Sequence, residues 1–135
     1  MIKRLAGTLY WDPRTFLAAF AVWSVLFGIG CFSTTRMFDI QPVFRVLRDL
    51  PFSEACWGVV TLFDGALLMA SLWVRASGFR PAVAFLSCGL WAFIGGTMVQ
   101  SGILQGFFSP AGAFSVVGGL GCCAATVQWV HQGYD

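Results

Sequence analysis

Asp64 is the residue in this sequence whose chemistry most needs explaining. It sits near the middle of TLFDGALLMASLWV (Thr61–Val74), an otherwise apolar stretch. If that stretch crosses a bilayer, a charged aspartate at its centre costs about 2.5–3.5 kcal/mol. A protonated or hydrogen-bonded carboxyl costs less than a bare charge. At 100° per residue, Thr61 and Ser71 fall on the same helix face as Asp64, so this face is expected to turn toward protein, away from lipid. Gln100 is a possible hydrogen-bond partner near the edge of the third span, and Thr97, one turn deeper, is the alternative. An acid in this setting suits a proton relay, an ion site or a pore lining. With no basic partner at similar depth, it better suits a buried carboxyl that fixes helix register.

The other chemistry-bearing residues are sparse. His131 is the only histidine. It lies just past the fourth span with no second ligand at a helpful spacing, so a headgroup-level polar role is expected in place of a metal. Cys31, Cys56, Cys88, Cys122 and Cys123 are odd in number, lack C-x-x-C spacing and lie in or beside apolar runs. They read as small packing residues, neither a disulfide framework nor a zinc site. Nucleophile-elbow, zincin, Walker and dinucleotide-binding motifs are missing. The expectation is a protein that is not an enzyme and that needs no cofactor.

The elements that position these residues follow from composition. The chain has 135 residues, 58% of them hydrophobic and 10% charged. Soluble domains carry about a quarter charged residues, so this is an integral membrane protein by composition. A net charge of +2 offers nothing for nucleic acid.

Four spans are predicted, at 16–32, 55–74, 82–104 (with Val99 as the earlier possible end) and 111–130, in one membrane domain covering 1–135. Each is about 17–23 residues, enough to cross a ~30 Å hydrocarbon core. Asp12-Pro13 and Ser109-Pro110 have the form of a cap followed by proline in the first helical turn. The first run competes with a signal peptide. Its long n-region, its long apolar run and the lack of an A-x-A site after that run favour a retained helix.

Between the first and second spans, QPVFRVLRDL (41–50) has a helical period. Val43, Phe44, Val46, Leu47 and Leu50 fall on one side and Arg45, Arg48 and Asp49 on the other. This predicts a short amphipathic helix, lying in the membrane plane or packed on the protein's own helix ends.

The fold class is therefore all-α: four transmembrane helices in an up-down bundle, plus one interfacial helix. An even span count puts both termini on one side, with Lys3, Arg4, Arg14, Arg75 and Arg80. Arg36, Arg45 and Arg48 lie on the other. The positive-inside rule then favours cytoplasmic termini in a bacterial inner membrane. Trp11, Trp57, Trp73 and Trp129 fall near span ends, as an aromatic belt requires, whereas Trp23 and Trp91 lie deeper.

Helices in lipid associate through close packing and polar contacts. Small residues at four-residue spacing supply the packing: Ser24 and Gly28; Cys88, Ala92 and Gly96; Ser115, Gly119 and Cys123; Gly118, Cys122 and Thr126. Two such rows on one helix favour a homo-oligomer or a larger membrane partner.

Taken together, the arginine-bearing amphipathic link, WGVVTLFDGALLMASLW in the second span, the RP-initiated third span with LWAFIGG, and the glycine-rich fourth span resemble small holin-like membrane proteins of phages and prophages. That resemblance implies self-association in the inner membrane and a lesion that releases a lysis enzyme. The four-span plan also resembles small multidrug transporters, but the first span lacks the acid that family carries. The functional expectation is a holin-like, self-associating membrane protein. The alternatives are an accessory subunit of a larger membrane complex and a small proton-coupled transporter built on Asp64.

Overall fold

The structure, a computed structural model, describes residues 13–33, 36–74 and 78–131. The expected cap at Asp12, the tryptophan at position 11 and the basic residues Lys3, Arg4 and Arg75 lie outside the described residues.

Among the described residues, four long helices carry the fold: α1 (Pro13–Cys31), α4 (Glu54–Trp73), α5 (Phe79–Gln105) and α6 (Pro110–His131). Each is long and apolar enough to cross a membrane. The chain is thus a multi-pass helical membrane protein, with no strand among the described residues. Between α1 and α4 run two one-turn helices, α2 (Met37–Ile40) and α3 (Arg45–Arg48), separated by a 3₁₀ turn at Pro42–Phe44.

Local chemistry sets the helix ends. Pro13 and Pro110 open α1 and α6, where a missing N–H matters least. Ser109 caps α6, its Oγ accepting from the Gly112 N–H at 3.1 Å. Ser53 caps α4, accepting from the Cys56 N–H at 3.3 Å. Arg80 lies against the C-terminal end of α4. Its guanidinium donates to the Ser71 carbonyl at 2.7 Å and to the Leu72 carbonyl at 3.1 Å. A cation there satisfies otherwise orphaned carbonyls and complements the helix dipole.

Helix α5 runs to Gln105, within a residue of the later expected end, and Gly106, whose φ is 74°, supplies the left-handed turn that terminates it. Its 27 residues make it about 40 Å long, beyond what a hydrocarbon core needs. The extra turns carry Ser101 and Gln105, which hold the link between α1 and α4. Ser101 Oγ accepts from the Val46 N–H at 3.0 Å, and the Gln105 amide donates to the Pro42 carbonyl at 2.7 Å.

The link therefore packs on α5 through buried Phe44 and Leu47, with Arg45 and Arg48 exposed. The expected two-sided pattern is present, but in place of one helix over 41–50 the chain forms a 3₁₀ turn opened by Pro42 and then the one-turn helix α3. Phe44 meets Phe27 of α1 edge-on at 5.9 Å and stacks on Phe38 at 4.8 Å. Those aromatic contacts supply the enclosure that a bilayer surface would otherwise provide.

Helices α1 and α4 pack antiparallel, as do α5 and α6, and α4 meets α5. Glycines make both pairings close. A Cβ on Gly65 would lie 3.0 Å from the Ala21 carbonyl oxygen, and one on Gly28 3.0 Å from that of Gly58. Across α5 and α6, a Cβ on Gly95 would lie 2.7 Å from the Val116 nitrogen, and one on Gly119 3.0 Å from the Ala92 nitrogen. The second α6 row faces α1, where Gly118 sits under the ring of Phe20. Both rows on α6 are thus used inside the bundle, because four helices need two contact faces on this helix. Trp129, expected in an interfacial belt, is buried in the core, whereas Trp73 is 81% exposed.

Candidate functional site: a buried carboxyl shared by three helices

Leu17, Phe20, Ala21, Ser24, Phe27 and Gly28 form the inward face of α1, at the 3–4 residue spacing of a helical stripe. Thr61, Asp64, Gly65, Leu68 and Ser71 do the same on α4. On α5, Ser87 and Trp91 are four residues apart and so lie one above the other. These three faces converge on the Asp64 carboxyl, which is 7% exposed.

Three neutral donors meet it. Ser24 Oγ donates to Oδ2 at 2.9 Å, and Trp91 Nε1 donates to the same oxygen at 3.0 Å. Ser87 Oγ donates to Oδ1. The Trp91 N–H also lies 2.9 Å from Ser24 Oγ, closing a ring of contacts between α1, α4 and α5. Both carboxyl oxygens are thereby satisfied in a setting where an unpaired acceptor is expensive. Asp64 has no ion-pair partner among the described residues.

Aromatic rings wall off this cluster. Trp91 is fully buried. Phe20 and Phe27 approach it edge-on at 5.5 and 5.3 Å, and Trp23 lies at 6.2 Å. The indole N–H fixes the polarity of the site, because it donates and never accepts. A donor aimed at the centre of a cation site would repel the cation, so the arrangement suits a carboxyl held by hydrogen bonds. It does not suit a coordinated metal ion, and no group of three metal-ligating side chains occurs among the described residues.

The residues singled out with Asp64 are placed differently. Thr61 and Ser71 are buried on its face, but each bonds its own helix: Thr61 to the Trp57 and Gly58 carbonyls, Ser71 to the Leu68 carbonyl. Thr97 is buried and donates to the Ile94 carbonyl at 2.7 Å. Gln100 is exposed on the outer surface of α5, away from Asp64. Neither Thr97 nor Gln100 is the partner; Ser87 and Trp91 are, with Ser24, whose spacing to Gly28 predicts only packing. His131 is exposed at the end of α6.

Among the small residues, Ser115 is fully buried against Gly95, and Cys122 is fully buried in the core. Cys88, Ala92, Cys123 and Thr126 are half-buried. Thr126 Oγ1 donates to the Cys122 carbonyl of its own helix at 2.9 Å and lies 3.4 Å from the Pro81 carbonyl of α5. Gly96 points outward, with no atom within 4 Å of where its Cβ would be.

Comparison with protein-family models, with curated proteins and with solved structures gave no match.

Proposed function

We propose that this chain is a non-enzymatic, self-associating protein of the bacterial inner membrane, with both termini in the cytoplasm and a holin-like action on the bilayer. The observation that carries the reading is the outward face of α5. Gly89 and Gly96 lie two turns apart on this face, and a Cβ on either would meet nothing within 4 Å. Glycine in a helix costs up to about 1 kcal/mol relative to alanine, and nothing inside the bundle requires these two. Gln100 shares their face, and exposed Phe85 and Phe93 flank it. Glycine gaps bordered by aromatic rings, with an amide at one end, let a second helix approach closely and hydrogen-bond in lipid.

The Asp64 cluster supports this reading over a transport role. Its donors hold the carboxyl in place between three helices. The orientation rests on the sequence count, five basic residues on the side of the termini (Lys3, Arg4, Arg14, Arg75 and Arg80) against three on the other (Arg36, Arg45 and Arg48).

Controlled induction in a bacterial host tests the proposal. The expected result is growth arrest with loss of membrane potential above a threshold of accumulation, and a raised threshold for Gly89→Leu/Gly96→Leu. Sustained growth at high membrane expression contradicts a holin-like action. Stable co-purification with one unrelated membrane protein would point to an accessory subunit instead.

A further inference from the structure

A second polar feature lies at the end of the bundle where α1 finishes and α4 begins, the level at which a bilayer presents its headgroups. A cleft of about 450 Å³ opens there, within the size range of small-ligand sites. Its lining includes two guanidinium groups, Arg36 and Arg48, and two carboxylates, Asp39 and Glu54. Phe52, 58% exposed, is an apolar wall of the same cleft.

The charges are balanced but not consumed by one another. Arg36 stands 3.7 Å from Asp39, and Arg48 stands 3.8 Å from Asp49 outside the cleft lining. Both distances are at the outer limit of an ion pair. Exposed pairs of this kind contribute little and are readily exchanged for a ligand. Glu54 is held in place, since one of its oxygens accepts from the Met37 N–H at 2.9 Å.

From this, the geometry points to a binding site for a phosphoethanolamine group, the headgroup of a zwitterionic phospholipid. Arg36 and Arg48 take the phosphate diester through charge-assisted hydrogen bonds. Asp39 and Glu54 accept from the primary ammonium, which brings three N–H donors. A choline headgroup has no N–H to offer them. A phosphoglycerol headgroup brings negative charge with no cation to answer the carboxylates. Phe52 flanks the glycerol and upper acyl region. This inference is independent of how the chain self-associates.

The test is lipid retention by the full chain in mild detergent, read by native mass spectrometry with phosphatidylethanolamine, phosphatidylcholine and phosphatidylglycerol in competition. Retention of the ethanolamine lipid should exceed that of the choline lipid by about tenfold, the equivalent of one charge-assisted hydrogen bond. Arg36→Gln/Arg48→Gln should abolish the preference while helical content stays unchanged. Asp39→Asn, which leaves both arginines in place, should lower the ethanolamine-to-glycerol ratio. Water-soluble phosphoethanolamine added at rising concentration distinguishes the sources: competition with lipid supports a site that also takes the free headgroup, and no competition supports a lipid-only site. Equal retention of ethanolamine and choline lipids, or a preference that survives in the double variant, overturns the assignment.

Discussion

Asp64→Leu is expected to destabilise the bundle by about 2–4 kcal/mol. Interhelical hydrogen bonds in membranes are worth about 0.6 kcal/mol on average and up to about 1.7, and this carboxyl receives three. In the leucine variant the Trp91 N–H keeps only Ser24, and the Ser87 hydroxyl loses its partner across the helix interface. Asp64→Asn should be much milder, at about 1 kcal/mol or less. The asparagine carbonyl oxygen can accept from both Trp91 and Ser24. Its amide can donate to Ser87, whose hydroxyl is free to turn and accept. Equilibrium unfolding in mixed micelles, followed by tryptophan fluorescence, reads the difference, because Trp91 reports on the site directly. A leucine variant as stable as the parent would mean that the cluster does not hold the helices together.

The second large effect is expected at Gly95. A Cβ there already meets the Val116 nitrogen at 2.7 Å and the Gly112 oxygen at 2.8 Å. Both are backbone atoms that cannot swing aside, so Gly95→Leu must push α5 and α6 apart. The loss should reach about 3 kcal/mol, the upper end for overpacking in a well-filled core. Its neighbour makes the control. Gly96 faces open space, so Gly96→Leu should not destabilise the isolated chain, and helix propensity should add up to about 1 kcal/mol. Two adjacent glycines with opposite outcomes would confirm which face of α5 is internal; equal effects would contradict the helix pairing.

Much of the fold is legible in the sequence. Low charge content and four apolar runs specify four spans, and the cap-and-proline signal at Ser109-Pro110 marks the start of α6. The depth of Asp64 was legible as well, but its partners were missed. Counting from the turn between α4 and α5 puts Asp64 nine residues before Trp73 and so level with about residue 88 of α5. That depth lies between Ser87 and Trp91, whereas Gln100 is about 18 Å further along at 1.5 Å per residue. The expectation favoured amides and hydroxyls and overlooked an indole N–H as a donor, although Trp91 was placed deep in its span.

The small-residue rows carry a different lesson. Their spacing says that a close neighbour exists, but not whether that neighbour belongs to the same chain. Only the pairing of α6 with both α1 and α5 assigns its two rows to the interior. Similarly, the two-sided pattern of 41–50 is equally compatible with lipid or protein beneath it. Ser101 and Gln105 decide for protein, and they lie on turns of α5 beyond the length a bilayer requires.

Lateral association through the outward face of α5 is the central claim, and particle mass tests it most directly. The wild-type chain, purified in mild detergent or reconstituted at low density in nanodiscs, should give a mass of two or more copies. The Gly89→Leu/Gly96→Leu variant should give a folded monomer with unchanged helical content. A wild-type monomer, or an oligomer that survives both substitutions unaltered, would contradict the account.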